Sequence, residues 1–444
     1  MPWPGRAESP SKAESTKMQF GRKLRVSLVV AATATALSLA TLPVRAETGL
    51  TASQLVDIAI EMNPQIHSMR AQWDAAQHQI LQNYAPADPM FNYANVDASH
   101  GLFNHAATHA HTLTESFQFP GKAQLQAEQA KQTAKIARFA YEAAIRDLRA
   151  AVETGYYQVL LDSALIDVNA NNIASLKQVL KVTETAYSGG QAAQTDFISA
   201  EVNMAQAQLH QRQYVVNKAN DETTLNQLLY RDPDNPLKLD RTIRVAPLKL
   251  RLQTAVDMAF RARQEILEAA LTERNQNTAL ELAKFEYIPD YQVGFEYDQF
   301  LQSGAQPLPT VTHGITLSIG FNVPVFFWIH QREDVKSAEY SLESARQSLK
   351  LIRSQTAANV TQIFRSAQFA YDSGQLYKES LIPLANQDFR VALIAYQSQK
   401  IDFLTLSAAL QSSYATQIGY LQASNQLLAG QVALEQAIGA PLSQ

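Results

Sequence analysis

Residues 187–200 read YSGGQAAQTDFISA, and residues 396–409 read YQSQKIDFLTLSAA. The two stretches align without a gap, 209 positions apart. Each follows a very long helix-forming run and precedes a shorter one, so each predicts the tip of a helical hairpin. A duplicated helix–tip–helix unit is therefore expected, with residues 47–250 as the first repeat and 251–444 as the second.

Upstream of the first tip, Lys122 to Tyr187 contains no proline and one glycine, Gly155. Ala134, Ala137, Tyr141, Ala144, Leu148, Ala151 and Gly155 recur at spacings of three and four, the rhythm of a coiled-coil seam. At 1.5 Å per residue such a helix is about 100 Å long, which no compact domain requires. A second long helix is expected over residues 331–396, with a seam through Ala338, Leu342, Ala345, Leu349 and Ile352. The shorter helices are expected at about 51–84 and 195–230, and the last at 403–438. Each pair of short helices sums to about one long helix, so two short ones stacked end to end would match it. Val256-Asp257-Met258-Ala259 repeats Val56-Asp57-Ile58-Ala59, and Pro289 and Pro324 repeat Pro89 and Pro120.

Between the short and the long helix of each repeat lie two strand-like segments. Leu113, Phe117 and Phe119 alternate with Thr112, Thr114, Ser116 and Gln118. Tyr291, Val293, Phe295 and Tyr297 alternate with Gln292, Gly294, Glu296 and Asp298, and Ile315 to Val323 repeats the pattern. An earlier segment, Met90 to Ala98, alternates less regularly. Strands with one apolar and one polar face suit a transmembrane β-barrel or a half-buried soluble sheet. Position beyond the end of a long rod, and aromatics at the strand ends (Tyr291, Tyr297, Phe321, Phe326, Phe327, Trp328), favour the barrel. Four strands cannot enclose a lumen, since closure takes about eight. The chain must then pool strands with copies of itself, and a trimer gives twelve.

The chain has 444 residues, no cysteine and a formal net charge of −4. Thiol chemistry and disulfides are excluded, and the absence of a basic run beyond the N-terminus argues against nucleic acid. Arg22, Lys23 and Arg25 precede an apolar run from Val26 to Leu42 and a small-x-small site at Val44-Arg45-Ala46. This predicts a cleaved export signal over residues 1–46, for which Met18 is a plausible true start.

These residues together resemble the TolC family of bacterial outer-membrane efflux proteins. The resemblance is carried by Asn63-Pro64, Phe119-Pro120-Gly121-Lys122, the two tips, and the helix ends Leu225-x-x-Leu228-Leu229 and Leu434-x-x-Ala437-Ile438-Gly439. It implies a mainly α fold with a membrane β-barrel: a homotrimer whose shared twelve-stranded barrel sits in outer-membrane lipid, joined to a helical tunnel in the periplasm. It implies partnership with a periplasmic adaptor and an inner-membrane pump. The tips would form the periplasmic aperture and adaptor-docking end, through Tyr187, Gly189, Gly190, Asp196, Tyr396, Gln399 and Asp402. The second tip departs from the pattern, with Gln399 for the glycine, Thr405 for the motif aspartate and Asp402 displaced by three residues. Asp196 also reads simply as an acid favoured at a helix N-terminus.

No nucleophile–base set or phosphate loop stands out, so neither an enzyme nor a cofactor is expected. His100, His105, His109 and His111 fall within twelve residues. They suit zinc, copper or nickel, or are a histidine-rich solvated loop. With the Phe-Pro-Gly-Lys corner, which is similar to heavy-metal members of the family, they suggest metal cations as cargo. The competing readings are a periplasmic adaptor, an outer-membrane duct for type I protein secretion, and a soluble coiled-coil scaffold; the last leaves the amphipathic strands unexplained.

Overall fold

The computed structural model describes residues 49–95, 107–242, 246–302 and 310–442. The expected export signal lies outside the described residues, as do His100 and His105. Nine α-helices and four strands run in the order α1 (Ala52–Met62), α2 (Pro64–Tyr84), β1 (Met90–Asn95), β2 (Ala107–Phe117), α3 (Lys122–Ser188) and α4 (Gln194–Leu228) among the described residues. The second repeat follows with α5 (Leu252–Ala262), α6 (Gln264–Phe285), β3 (Tyr291–Gln302), β4 (Thr310–Phe321), α7 (His330–Leu376), α8 (Ile382–Gln397) and α9 (Phe403–Ile438). Among the described residues no helix is long and apolar enough to cross a membrane.

The 67 residues of α3 form one unbroken helix. Along it, α2 packs on the half nearer the strands and α4 on the half nearer the tip, as the helix lengths required. Where the short helices meet, Leu55, Val56, Ala59, Ile66, Leu148, Val152, Leu225 and Leu229 are buried together. The second repeat builds the same joint from Ala255, Ala259, Val360, Leu434, Ala437 and Ile438.

The first short helix is two helices. Pro64 lacks an N–H and pushes the residue before it out of helical backbone. Asn63 accordingly ends α1 with ψ 119° and caps α2, its Oδ1 accepting from the Gln65 N–H at 2.8 Å. Its Nδ2 donates to the Leu228 carbonyl at 3.3 Å, tying the joint to the end of α4. The second repeat breaks at Arg263 without a proline, and there Arg263 Nη1 donates to the Ala437 carbonyl at 3.3 Å. Tertiary contact with the facing helix end thus sets this break.

The second long helix is also interrupted. A π-helical turn, Tyr377–Leu381, separates α7 from α8 just before Pro383. Proline's missing N–H cannot close the ordinary helical bond there, and one wider turn accommodates the gap.

The strands form one antiparallel sheet in the order β1-β2-β3-β4. The β2–β3 pairing joins the two repeats, with Leu113 opposite Phe295 and Phe117 opposite Tyr291. β2 and β4 start earlier than the alternation alone placed them, and β4 stops at Phe321.

At the first strand-to-helix corner, Gly121 takes φ +109°, where a Cβ would press on the Phe285 ring at 3.1 Å. Lys122 is buried at 2% exposure, its Nζ 3.0 Å from Asp290 and 3.3 Å from Glu286. Asp290 also accepts from the Phe119 N–H at 2.8 Å. This corner locks the sheet onto the helices.

Candidate functional site

Both tips are built by the same hydrogen bonds. In the first, the N–H groups of Gly189, Gly190 and Gln191 donate to the carbonyls of Thr185, Tyr187 and Ala186 at 3.1, 2.9 and 2.7 Å. In the second, Ser398, Gln399 and Lys400 donate to Ile394, Tyr396 and Ala395 at 3.1, 2.9 and 2.8 Å. The pattern needs one residue in the left-handed region, and Gly190 supplies it at φ +70°. Gln399 stands in the same place at φ +58°. The departure from the family pattern therefore changes the residue and leaves the turn intact.

The displaced acid has a structural reason. Asp402 caps α9, its Oδ1 accepting from the Thr405 N–H at 2.9 Å. Hydrogen bonding to Thr405 holds this carboxyl below the usual range. At the matching place in the first tip, Ala193 has no side-chain cap, and the Asp196 N–H donates to its carbonyl at 3.1 Å.

The two tips share a cleft of about 520 Å³, lined by Lys181, Asp196, Tyr396, Gln399 and Asp402 among others. Four of the seven tip residues singled out in the sequence thus meet in one space. Gly189 and Gly190 shape the turn beside it. Tyr187 does not enter it: half-exposed, its ring stacks on Phe197 with centroids 6.3 Å apart. Its counterpart Tyr396 is buried, packs edge-on against Phe403, and leaves its hydroxyl without a hydrogen-bond partner. Burial and the nearby Asp196 charge push that phenol up. Below the cleft, Leu176, Val179, Met204, Leu393, Leu406 and Leu410 close a core between the two hairpins.

At the opposite end the register sorts the sheet into two faces. One carries Phe91, Leu113, Phe295 and Leu317 in a single row, with Val293 and Ile319 beside Glu115 in the next and Phe117, Tyr291 and Phe321 at the helical end. Leu317 is 71% exposed and Ile315 70%, although both are large aliphatic side chains. The other face carries Asn92, Thr112, Thr114, Ser116, Gln292, Thr316 and Ser318.

Toward the loop end, the apolar face closes with rings that have polar tips. Tyr93 Oη lies 3.0 Å from His109 Nδ1, and Tyr297 Oη lies 2.8 Å from His313 Nδ1. His111 packs against Tyr93 and Tyr297. His109 and His111 are thus in an aromatic row, and among the described residues no three His, Cys, Asp or Glu side chains gather as for a metal. Sequence reasoning missed His313, although Tyr93 and Tyr297 each precede a histidine by 16 residues.

Two long helical hairpins joined to a two-faced antiparallel sheet have the fold of bacterial outer-membrane channels. OprN, described as an outer-membrane channel, has a TM-score of 0.75 and 15% identity, over 88% of this chain and 90% of its own. VceC, an outer membrane protein of Vibrio cholerae, has a TM-score of 0.75 and 14% identity over 88% and 97%. CusC, described in connection with transmembrane channel formation, has a TM-score of 0.75 and 16% identity over 88% and 93%. Residues 55–229 match the outer membrane efflux protein family. These are channels, not enzymes. No curated protein sequence matches the chain.

Proposed function

We propose that the whole chain is a TolC-type outer-membrane protein, the passive exit duct of a tripartite efflux system. The exposed apolar face of the four-stranded sheet carries this reading. An apolar surface of this extent is not stable in water and calls for lipid or protein cover. The polar opposite face suits a water-filled lumen, and the ring-bearing rows at both ends match the two interfacial girdles of a membrane barrel. β1 and β4 are the free edges of the sheet, and pairing them between three copies would give a closed twelve-stranded barrel. The helices would continue it as a periplasmic tunnel, with the paired tips as its aperture and the docking end for an adaptor and its pump. Residues 1–46 would direct export.

Metal cations are the cargo we favour, supported by the histidines near the loop end and by the Phe119-Pro120-Gly121-Lys122 corner. Deleting the gene and measuring tolerance to zinc and copper against dyes and antibiotics tests the cargo; unchanged metal tolerance contradicts it. Membrane fractionation, with heat-modifiable migration on gels, tests the duct. A membrane-bound trimer that dissociates on boiling is expected, and a soluble monomer contradicts it.

A further inference from the structure

We propose that Glu296 and Asp298 form a cation-binding ring on the lumen wall near the extracellular mouth, suited to a hard divalent cation such as calcium. The inference rests on the exit-duct reading, because three copies of the chain complete the ring.

β3 places Gln292, Gly294, Glu296 and Asp298 on the polar face of the sheet. Among the described residues of that face, Glu296 and Asp298 are the only charged ones. The nearby imidazoles of His109, His111 and His313 lie on the opposite, apolar face. Glu296 sits between Thr112 and Thr316, whose hydroxyls can add oxygen ligands, and Asp298 between Ala110 and Gly314. Among the described residues of this face, no lysine or arginine neutralises either carboxylate.

The second observation is at Asp298 itself. The residue is only 7% exposed, its carboxyl is within hydrogen-bonding reach of Glu296, and its Oδ1 has no hydrogen-bond partner. A buried carboxylate oxygen without a donor is unfavourable unless an ion meets it. Paired carboxylates flanked by hydroxyls are the hard oxygen set that calcium and magnesium take. Three copies would bring six carboxylates to one level of a lumen, and rings of Asp and Glu make pores cation-selective. The tip acids Asp196 and Asp402 lie beyond the far end of α3, about 100 Å away, so the two sites are independent.

The test uses the full-length trimer in planar bilayers. Wild type should be cation-selective in a potassium chloride gradient and blocked by calcium chloride added at the extracellular side. The near-isosteric Glu296→Gln/Asp298→Asn variant should weaken that block about tenfold and shift the reversal potential toward zero. Asp196→Ala/Asp402→Ala should leave extracellular block unchanged. Equal block and reversal potential in wild type and the Gln/Asn variant overturn the proposal. If that variant does not assemble, calorimetric titration of the Asp196→Ala/Asp402→Ala trimer with calcium chloride decides: binding below about 1 mM supports the ring, and none overturns it. A wild-type protein without conductance overturns the duct reading itself, a different outcome from a conducting but unselective pore.

Discussion

The two repeats solve the same backbone problems with different residues. At the tips the left-handed position is Gly190 in the first repeat and Gln399 in the second. At the far ends of α4 and α9 the assignment reverses: Tyr230 at φ +53° in the first repeat, Gly439 at φ +79° in the second. Each repeat thus has a glycine at one of the two positions and a bulkier residue at the other. The turn is therefore imposed by the helix-ending hydrogen bonds and by packing of the helices around it. Glycine lowers the cost of the turn without defining it. The long helices differ as well. The first joins its partner at a carboxyl pair, buried Asp162 and half-buried Asp221, whereas the positions 209 residues on are Tyr371 and Gly430. Gly430 allows close approach, since a Cβ there would come within 3.0 Å of Ala367.

The sharpest difference is at the strand-to-helix corners, so the largest effect is expected there. The first corner buries Lys122 between Asp290 and Glu286, and the second exposes Val325, Phe326 and Trp328. Lys122→Ala should cost about 3 kcal/mol, the lower end for a broken buried pair because both acids keep some solvent contact. Phe326→Ala should leave the fold unaffected in detergent. Thermal unfolding of the purified protein measures both, and equal effects would mean that the corners are not distinct.

The left-handed positions come next. Gly439→Ala should cost about 2 kcal/mol, because a Cβ would meet Arg263 Cα at 2.7 Å in addition to the backbone strain. Gly190→Ala meets nothing within 4 Å and should cost only about 1 kcal/mol, all of it conformational. Gln399→Gly and Tyr230→Gly should each stabilise by roughly 0.5 kcal/mol, since relief of the left-handed strain outweighs the added freedom of the unfolded chain. Losses at those two positions would show that their side chains do more than occupy the turn.

The last test is a pH dependence. Burial, aided by Asp221, pushes the Asp162 carboxyl up to about 7, against Lys218 nearby. Between the unfolded value of about 4 and that value, the folded chain holds a proton that the unfolded chain has lost. Stability from this site is therefore present at low pH and falls as pH rises through the window, by at most about 1.4 kcal/mol per unit. Asp162→Asn should flatten the fall in melting temperature between pH 5 and 8. A variant that tracks wild type would remove the carboxyl pair as its cause.

Much of the fold could be read from the duplicated tips, the helix lengths and the strand alternation. α9 spans the residues its periodicity marked, because Asp402 and Gly439 signal both ends locally. The break at Arg263 could not be read, because the facing end of α9 fixes it and no local residue does. The burial of Lys122 could not be read either: a lysine is ordinarily exposed, and only the approach of Glu286 and Asp290 from the other repeat buries it. At the candidate site, the gapless alignment of the two tips marked where each hairpin turns. It could not give that Tyr396 turns inward while Tyr187 stays out, because the neighbouring hairpin decides that.

The central claim is that three copies close one barrel through β1 and β4. The chain has no cysteine, so introduced pairs report without background. One cysteine on β1, at Asn92, and one on β4, scanned over Thr316, Ser318 and Gly320, sample the registers between neighbouring copies. Under oxidation in isolated outer membranes, the account predicts a ladder of covalent dimer and trimer that stops at the trimer. Monomer alone at every register, or a ladder extending past the trimer, would contradict it.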